Sequence, residues 1–378
     1  MRDADDFHPG DPAFLWYINP TDGEAPWEPE QRVTPSFDVI RHQARTLDRL
    51  GFYGALTTAR EPIALIGDTT DLRFLIPCYP GVKPPVLMAE EAQVFDQYSG
   101  GRLIINQVNG ADPVLRRYGQ FTPKAERYRL SSEYWSKVKD LYLDDTDAYE
   151  GEFFSYDKRY KPAIPGPRQP GGLPIWGTGA SPEGIEHAVD VLDVYLSFMS
   201  EPDALTALFD KVRTAAAERR RTLRFGVLAS VIVRETEEEA WDRFEWQLTQ
   251  TRPETVLATA DRNLKSFGYP GLDDLTSDDP QVLARIEALR AGKLPDRSAL
   301  EFAPNMAAGL TTWTAAEPPF DIAGKGTGTY FVGSAENVAK AMRKVGEQAG
   351  VDAWILSGWP LAREAEIAAD LLIPLLKG

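Results

Sequence analysis

The amino-acid sequence predicts an α/β protein, a (β/α)8 TIM barrel with insertions. Eight short apolar runs of strand character alternate with segments whose apolar residues recur at helical spacing. Such alternation is typical of parallel β/α folds, and eight repeats favour a closed barrel over a doubly wound sheet. The length of 378 residues fits one barrel enlarged by insertions.

The strand predictions rest on short runs rich in β-branched and aromatic residues that end at glycine, proline or polar residues. The run at 102–108, for example, is flanked by glycines and is too short for a helix, so we interpret it as a buried parallel strand. The eight predicted strands are FLWYI (14–18), YGALT (53–57), RFLIPC (73–78), RLIINQV (102–108), LPIWG (173–177), VYLSF (194–198), RFGVLASVIV (224–233) and AWILSG (353–358).

Seven segments between these strands have apolar residues three and four positions apart, which predicts helices. They are FDVIRHQARTLDRLGF, PVLMAEEAQVFDQYSGG, AERYRLSSEYWSKVKDLYL, SPEGIEHAVDVL, EPDALTALFDKVRTAAAERR, TEEEAWDRFEWQLTQ and SAENVAKAMRKVGEQAG. Two stretches break the alternation, about 144–172 and 252–330, and are predicted as insertions; the second is interpreted as a partly helical lid. Residues 13–378 are predicted to form a single barrel domain after a disordered arm at 1–12.

Composition and net charge indicate which kinds of binding partner are disfavoured. The 41 basic and 57 acidic residues leave a net charge of −16, and no basic stripe offsets it, which disfavours nucleic acid and anionic membranes. The acidic start lacks the features of a signal peptide, and no apolar stretch reaches the length of a membrane span, so a cytoplasmic location is expected. The single cysteine, Cys78, excludes an internal disulfide and a thiolate zinc cluster.

The three histidines, His8, His42 and His187, have no second ligand at metal spacing, so no metal site is predicted. His42 and His187 lie on helical segments among charged residues. A structural or exposed role is therefore expected for both, ahead of a catalytic one.

The segment WGTGASPEG (176–184) is a glycine-rich turn between a predicted strand and a predicted helix. Backbone amides at the start of a helix can bind a phosphate. The segment is not the dinucleotide fingerprint, because Pro182 stands where the third glycine would be. From the residues alone, a phosphate site and a plain turn are equal alternatives.

Several segments together resemble a known family. In one order along the chain they are LGFYGALT, DLRFLIPCYPGVKPPVLMAEEAQVFDQYSGGRLIINQVNGADP, ERY, PIWGTGASPEGIEHAVDVLDVYLSF, VIVRETEEEAW and SGWPLAREAEIAADLLIPLL. They resemble the bacterial luciferase-like flavin-dependent monooxygenases, and most of all the alkanesulfonate monooxygenase branch. The resemblance extends from about 13 to 377 and is weakest from 252 to 320.

The resemblance implies a luciferase-like barrel that receives reduced FMN from a separate NAD(P)H-dependent flavin reductase. Dioxygen would be the co-substrate, and a small organic molecule would be oxygenated through a C4a-peroxyflavin, so the cofactor would carry the difficult chemistry. The family usually pairs through helices of the barrel wall, which implies a homodimer or a higher homo-oligomer.

The resemblance also implies the cofactor-binding residues. Asn109 would hydrogen-bond the isoalloxazine ring or the ribityl chain from the end of the fourth strand, where Gly110 lets the backbone approach closely. Tyr128 matches a tyrosine that reaches the FMN phosphate, although a helix-borne tyrosine is more often at the edge of a core. Lys124 replaces a common histidine and is either a phosphate contact or a solvated lysine. The other predicted cofactor residues are Cys78, Gly177, Thr178, Gly179, Ala180 and Ser181.

The sequence departs from the sulfonate branch at its polar positions. Asp22 and Ser230 stand where the branch has histidines, and Trp359 stands for a tyrosine. Leu228 replaces an arginine of the branch, Leu361 replaces a further histidine, and Gly324 replaces a second arginine. The candidate catalytic residues are therefore Asp22, Asn109, Ser230 and Trp359, with Arg60 and Glu61 as additional candidates for proton handling.

These replacements predict an apolar, aromatic substrate pocket. Its expected lining residues are Trp16, Tyr17, Arg60, Tyr79 and Trp313. A buried sulfonate needs cations and hydrogen-bond donors, so an alkanesulfonate is not expected as the substrate. A neutral or cationic molecule of moderate size, such as an intermediate of specialised metabolism, suits this pocket.

The sequence leaves three functions open. The first is a two-component, reduced-FMN-dependent monooxygenase. The second is a deazaflavin-dependent oxidoreductase on the same barrel, which the segments GGRLIINQVNGADP and ERY disfavour. The third is a flavin-binding protein without catalytic activity, which the loss of the expected histidines supports and the retained glycine-rich segments oppose.

Overall fold

The computed structural model describes residues 7–58, 62–110, 112–143, 147–157, 166, 168–169, 171–255, 257, 261, 265, 270–308 and 329–377. The strands, in chain order, are β1 Ala13–Tyr17, β2 Gly54–Leu56, β3 Arg73–Cys78, β4 Leu103–Gln107, β5 Ala148–Glu150, β6 Ser155–Asp157, β7 Ile175–Gly177, β8 Val194–Phe198, β9 Arg224–Arg234, β10 Glu301–Ala303, β11 Met306–Ala308, β12 Thr329–Ser334 and β13 Ala353–Ser357. All eight predicted strands are present, as β1, β2, β3, β4, β7, β8, β9 and β13.

The main sheet has the strand order β10-β11-β12-β9-β13-β1-β2-β3-β4-β7-β8, and β8 also pairs with β9. The eight predicted strands therefore close a parallel ring, which confirms the (β/α)8 barrel. The strand β12 pairs in parallel with the second half of β9, from Tyr330 opposite Ser230 to Ser334 opposite Arg234.

The helices, in chain order, are α1 Phe37–Arg49, α2 Pro62–Leu65, α3 Pro85–Ser99, α4 Asp112–Arg117, α5 Arg127–Tyr142, α6 Pro182–Val191, α7 Pro202–Glu218, α8 Glu237–Thr249, α9 Pro280–Arg290, α10 Arg297–Leu300, α11 Ala335–Ala349, α12 Leu361–Ile367 and α13 Ile373–Leu376. The seven predicted helices are confirmed as α1, α3, α5, α6, α7, α8 and α11. Local capping explains several ends: Thr236 and Glu239 form a capping box at α8, and Gly350 ends α11 in the left-handed conformation.

The chain divides into two compact units. The terminal unit comprises Met1–Phe52, Ser197–Thr206 and Gly226–Gly378, and the central unit comprises Tyr53–Leu196 and Ala207–Phe225. The prediction of a single domain at 13–378 stays a prediction.

In the central unit, α3 covers one face of β3 and β4. The register places Phe74 opposite Leu103 and Cys78 opposite Gln107. The ring of Phe74 packs edge-to-face on Phe95 of α3, with centroids 5.9 Å apart. Because side chains alternate along a strand, every second residue of β3 from Phe74 faces this helix layer.

The insertion of the central unit contains the β5–β6 hairpin and returns to the barrel beside Asp96. This carboxylate is fully buried in α3 and accepts hydrogen bonds from Tyr142 Oη at 2.8 Å and from Gln169 Nε2 at 2.8 Å. A buried carboxylate is stable only when it is paired or hydrogen-bonded, so these contacts account for a charge inside the helix layer.

In the terminal unit, β1 pairs in parallel with β13, and β13 with the first half of β9. The second insertion contains α9 and α10, which confirms its partly helical character. Its antiparallel strands β10 and β11, which extend the sheet from β12, were not predicted. Of the segment at about 252–330 that was predicted to form a lid, residues 256, 258–260, 262–264, 266–269 and 309–328 lie outside the described residues.

Residues 1–6 of the predicted arm also lie outside the described residues. Beyond them Phe7 is buried, and His8 and Asp11 exchange two backbone hydrogen bonds. None of the described helices combines the length and the apolar character that crossing a bilayer requires.

Candidate functional site

The glycine-rich turn after β7 caps the N-terminus of α6. Ser181 is the N-cap residue, its Oγ accepts a hydrogen bond from Gly184 N at 3.1 Å, and Pro182 occupies the first helical position. Thr178 and Ala180 are exposed beside it. The first amides of a helix lack intrahelical partners and sit at the positive end of its dipole, so this turn can bind an anion such as a phosphate.

Two glycines bring the backbone of this turn together. A Cβ on Gly179 would lie 2.7 Å from the carbonyl oxygen of Gly184, and a Cβ on Gly184 would lie 2.9 Å from the carbonyl carbon of Gly179. Tyr195 Oη fixes the turn further, because it donates to the Gly179 carbonyl at 3.0 Å. The sequence predicted Gly179 as a site residue but not Gly184, whose need for glycine shows only when the two backbone segments meet.

Tyr128 lies beside this turn. Its hydroxyl oxygen would be 2.8 Å from a Cβ on Gly184, and its ring lies 5.6 Å from the ring of His187. The structure therefore brings Tyr128 to the helix terminus where the resemblance implies it. Lys124 is exposed in a single 3-10 turn that precedes α5.

His187 is buried between α5 and α6, with both ring nitrogens engaged. Nε2 lies 3.2 Å from Ser131 Oγ, and Nδ1 lies 2.9 Å from Ser132 Oγ. Burial lowers the pKa of His187 to about 4, so the ring is neutral at pH 7. His187 is thus structural, as expected, and His42 is exposed on α1.

Two side-chain amides at the end of β4 each have one buried atom without a hydrogen-bond partner. Gln107 Nε2 donates to Asn109 Oδ1 at 2.7 Å, but Gln107 Oε1 and Asn109 Nδ2 have no partner within the described structure. Such buried orphan atoms are rare, and each calls for a missing ligand or water. Gly110 follows with a φ of +70°, and a Cβ there would lie 3.2 Å from the Tyr79 ring. This conformation requires glycine.

Cys78 ends β3 next to Gln107 in the sheet register. Burial raises the pKa of the Cys78 thiol to about 12, and the positive charge of Lys83 lowers it only in part. A thiol with this pKa stays protonated at neutral pH and is a poor nucleophile. Cys78 therefore offers a neutral, apolar contact.

Asn106, a polar residue of β4, was not among the residues that the sequence analysis singled out. Leu103 and Ile105 lie on the cavity beside α3, and Gln107 Nε2 reaches Ser131 of α5 at 3.4 Å. Strand alternation places Asn106 on the opposite face of β4, where its side chain is half-buried. The signal was present, since period-two alternation from Leu103 separates Asn106 from Ile105 and Gln107.

In the terminal unit, Asp22 is buried and anchors the start of α12. Its Oδ1 accepts from Leu361 N at 2.9 Å and from Gly23 N at 2.8 Å, and its Oδ2 accepts from Gln43 Nε2 at 2.9 Å. Burial raises the pKa of Asp22, against the lowering effect of these hydrogen bonds. Both carboxylate oxygens are thus engaged within the chain, which favours a structural role over proton transfer.

Ser230 is equally engaged. Its Oγ lies 2.9 Å from Ser357 Oγ, and its hydroxyl also hydrogen-bonds the buried Tyr330. The three residues stand at one level of the adjacent strands β13, β9 and β12. These hydrogen bonds join three strands, and they engage the Ser230 hydroxyl within the protein.

Trp359 is buried and packs edge-to-face on Tyr17, with ring centroids 6.2 Å apart. A charged network holds its backbone: Arg243 donates to the Trp359 carbonyl at 2.7 Å and pairs with Glu24. Glu364, which is almost fully buried, accepts two hydrogen bonds from Arg234. Sequence reasoning missed this network, since its members lie far apart along the chain.

The predicted substrate pocket is only partly assembled among the described residues. Tyr17 reaches Trp359, but Trp16 is the next residue in the strand and points to the opposite face, where it packs on Phe52 with centroids 5.8 Å apart. The structure therefore does not bring Trp16 to the side of Tyr17. Tyr79 packs on Tyr118 in the central unit. The other candidates Arg60, Glu61, Trp313 and Gly324 lie outside the described residues.

The family model for luciferase-like monooxygenases matches residues 14–353. The chain therefore belongs to the luciferase-like monooxygenase family, a family of flavin-dependent enzymes.

Solved structures share the fold at low identity. A riboflavin lyase solved with modified FMN and riboflavin is 16% identical, with a TM-score of 0.71 over 97% of this chain and 91% of that chain. A long-chain alkane monooxygenase is 16% identical, with a TM-score of 0.69 over 97% and 91%. A secondary alcohol dehydrogenase that depends on the deazaflavin F420 is 14% identical, with a TM-score of 0.61 over 97% and 100%.

Proposed function

We propose that this chain is the oxygenating component of a two-component system. It binds reduced FMN supplied by a separate NAD(P)H-dependent flavin reductase and uses dioxygen to oxygenate a small organic substrate. The observation that carries the proposal is the phosphate cradle at the start of α6, where Gly179 and Gly184 meet backbone to backbone beside the Tyr128 hydroxyl. Family membership makes a flavin the first candidate for the phosphate carrier.

A flavin mononucleotide fits the central unit at a second point. Asn109 Nδ2 is a buried donor without a partner, and Gln107 Oε1 is a buried acceptor without one. An isoalloxazine ring and a ribityl chain carry both acceptors and donors, so they can complete these two amides. The cradle residues Gly177, Thr178, Gly179, Ala180 and Ser181 would hold the phosphate, with Tyr128 as an additional donor.

Bound reduced flavin would supply the electrons and the activation of dioxygen. The chain would bind and orient the flavin and keep water away from it. Neither Cys78 nor His187 is poised for proton transfer, because the thiol stays protonated and the neutral ring has both nitrogens engaged. Among the candidate residues that the structure describes, Asp22 is the carboxyl group whose pKa moves toward neutrality.

The substrate is proposed to be neutral or cationic, such as an intermediate of specialised metabolism. Recognition of a sulfonate would need unpaired cations or donors. In the described part of the terminal unit, Arg234 is paired with Glu364 and Arg243 with Glu24, so neither is available to an anion. The assembly is proposed to be a homodimer or a higher homo-oligomer.

A deazaflavin-dependent oxidoreductase is the second candidate, because the matched F420-dependent dehydrogenase has the same fold over 97% of this chain. A flavin-binding protein without catalytic activity is the third. The engaged state of Asp22 and Ser230 is the observation that favours it.

Anaerobic titration with paired ligands tests the proposal. Reduced FMN should bind at least tenfold more tightly than reduced riboflavin, which lacks the phosphate, and more tightly than reduced F420. Tyr128→Phe should weaken the affinity for reduced FMN by about threefold to tenfold, which corresponds to one hydrogen bond. The affinity for reduced riboflavin should not change. Tyr98→Phe, at an exposed position on α3, is the matched control and should change neither.

Equal affinity for FMN and riboflavin would contradict the phosphate cradle. Preference for reduced F420 would favour the second candidate. Tight binding of reduced FMN without formation of an oxygenated product, across a panel of neutral and cationic substrates after admission of oxygen, would favour the third.

A further inference from the structure

A large cavity lies between the strands β3 and β4 and the helix α3 of the central unit, away from the turn that caps α6. Its volume is about 710 Å³, which is within the usual range for small-molecule sites. Its main wall residues are Ile76, Cys78, Met88, Ala92, Ile105 and Tyr134. We call it the outer cavity, because these strand residues face the helix layer.

The lining of the outer cavity is mostly apolar. The lining residues with neutral polar groups are Cys78, Tyr79, Tyr118 and Tyr134. The charged lining residues are Lys83, Glu90 and Glu91, and Lys83 is paired with Glu91 at the exposed rim. The rim is therefore acidic on balance, which disfavours an anionic ligand.

The mouth of the outer cavity is marked by exposed apolar side chains. Ile63 is 57% exposed and Tyr118 is 39% exposed, and both belong to the lining. An apolar cavity holds ordered water poorly, because each buried water needs several polar partners. Its composition therefore suits an organic ligand better than solvent.

We propose that the outer cavity is a binding site for a neutral, predominantly apolar small molecule. The site is separate from the phosphate cradle, and it ends near the tip of β4: Tyr79 lies against Gly110, and Val108 N donates to the Cys78 carbonyl at 3.0 Å. Tyr79 and Tyr118 belong to the lining and carry hydroxyl groups that can hydrogen-bond one neutral polar group of the ligand.

The single cysteine of the chain provides the test, because Cys78 lies on the cavity wall. Because the Cys78 thiol is mostly protonated, the full-length protein is treated at pH 8 with a large excess of neutral methyl methanethiosulfonate or of its anionic 2-sulfonatoethyl analogue, and the slow modification is followed over hours. The rate with each reagent is divided by the rate at which the same reagent modifies free N-acetylcysteine, which removes the difference in intrinsic reactivity. The neutral reagent should then modify Cys78 at least tenfold faster than the anionic one.

Protection by a matched pair of probes identifies the ligand class. Saturating 2-naphthol should slow the neutral reagent at least fivefold, whereas 2-naphthalenesulfonate at the same concentration should slow it less than twofold. Equal protection by both probes, or protection by neither, would overturn the proposal. Modification that slows as protein concentration rises would also overturn it, since a second copy would then cover the mouth.

A substitution that fills the cavity provides an independent test, in which the binding of 2-naphthol is measured by its fluorescence. Ala92→Phe should abolish 2-naphthol binding, and Leu87→Phe, at an exposed position on the same helix outside the lining, should leave it unchanged. If Ala92→Phe does not fold, Val82→Trp replaces it at the lining. A folded filled variant that binds 2-naphthol as the wild type does would contradict the proposed site.

Discussion

The polar candidate residues of the two compact units differ in their hydrogen bonding. In the central unit, Gln107 Oε1 and Asn109 Nδ2 are buried without partners. In the terminal unit, Asp22 accepts three hydrogen bonds and Ser230 contacts both Ser357 and Tyr330. Both sets lie in or after strands of the barrel, so position in the fold does not separate them.

We propose that this difference distinguishes the polar groups that bind a ligand from those that stabilise the fold. Buried polar groups in native proteins nearly always have partners, so the proposed partner of the unsatisfied amides next to the glycine-rich turn is a bound molecule. A carboxylate that already holds the first amide of α12 stabilises the fold instead. The comparison therefore predicts that changes at the satisfied groups lower stability, whereas changes at the unsatisfied amides and the adjacent cradle lower flavin affinity.

Replacing Asp22 should have the largest effect. Asp22→Ala leaves the amides of Leu361 and Gly23 and the side chain of Gln43 without their acceptor, which should cost about 4 kcal/mol in the free energy of unfolding. Urea unfolding would measure this loss. The dissociation constant for reduced FMN should change less than threefold, and a hundredfold change with stability preserved would break the comparison.

The pH dependence of stability should reveal His187. Its pKa of about 4 in the folded state lies below the ordinary value near 6.5, so the unfolded chain takes up the proton first as the pH falls. The contribution of His187 to stability should be complete above about pH 6.5 and should fall by about 3 kcal/mol toward pH 4.

The measurement compares urea unfolding of the wild type and His187→Gln between pH 7 and pH 4. The difference between the two should shrink as the pH falls. His42→Gln, at an exposed position, is the control and should follow the wild type throughout. A constant difference between wild type and His187→Gln would show that the buried ring does not resist protonation.

Gly179→Val tests the cradle itself. The added side chain must push the backbone of Gly184 away, so affinity for reduced FMN should fall about a hundredfold, which is about 2.7 kcal/mol. Gly67→Ala is the control, because nothing lies within 4 Å of a Cβ there. If Gly179→Val folds and binds reduced FMN normally, the phosphate lies elsewhere.

Asn109→Leu should have the smallest effect. The substitution removes one hydrogen-bond donor to the flavin, which should weaken the affinity for reduced FMN about tenfold. Stability should fall by only about 1 kcal/mol, because Asn109 Nδ2 has no partner among the described residues and the loss is confined to the hydrogen bond that Asn109 Oδ1 accepts from Gln107 Nε2. Isothermal titration under nitrogen gives both the affinity and the binding enthalpy, and unchanged values would remove Asn109 from the flavin site.

The fold was predictable because its signals are local. All eight barrel strands and the seven predicted helices follow from the period of their apolar residues and from caps that lie within a few positions of each end. The antiparallel pair β10 and β11 was missed, since both three-residue strands lie in a segment without the β/α alternation that identified the equally short β2 and β7.

The candidate site was predictable only where its parts are contiguous. The turn from Gly177 to Ser181 combines a strand end, glycines and an N-cap serine in one segment. Tyr128 was identified through the family resemblance, and its position beside Gly184 follows from the packing of α5 on α6. The separation of Trp16 from Tyr17 needed only strand alternation, which the sequence interpretation did not apply to them.

The sequence by itself determined the barrel, the order of its strands and helices, and the strand–turn–helix segment that can bind a phosphate. Tertiary structure decided the need for glycine at Gly184, the anchoring of α12 by Asp22 and the cavity around Cys78. The physical reason is range: helices, strands and caps depend on residues a few positions apart. Hydrogen-bond satisfaction, burial and cavities depend on groups that only folding brings together.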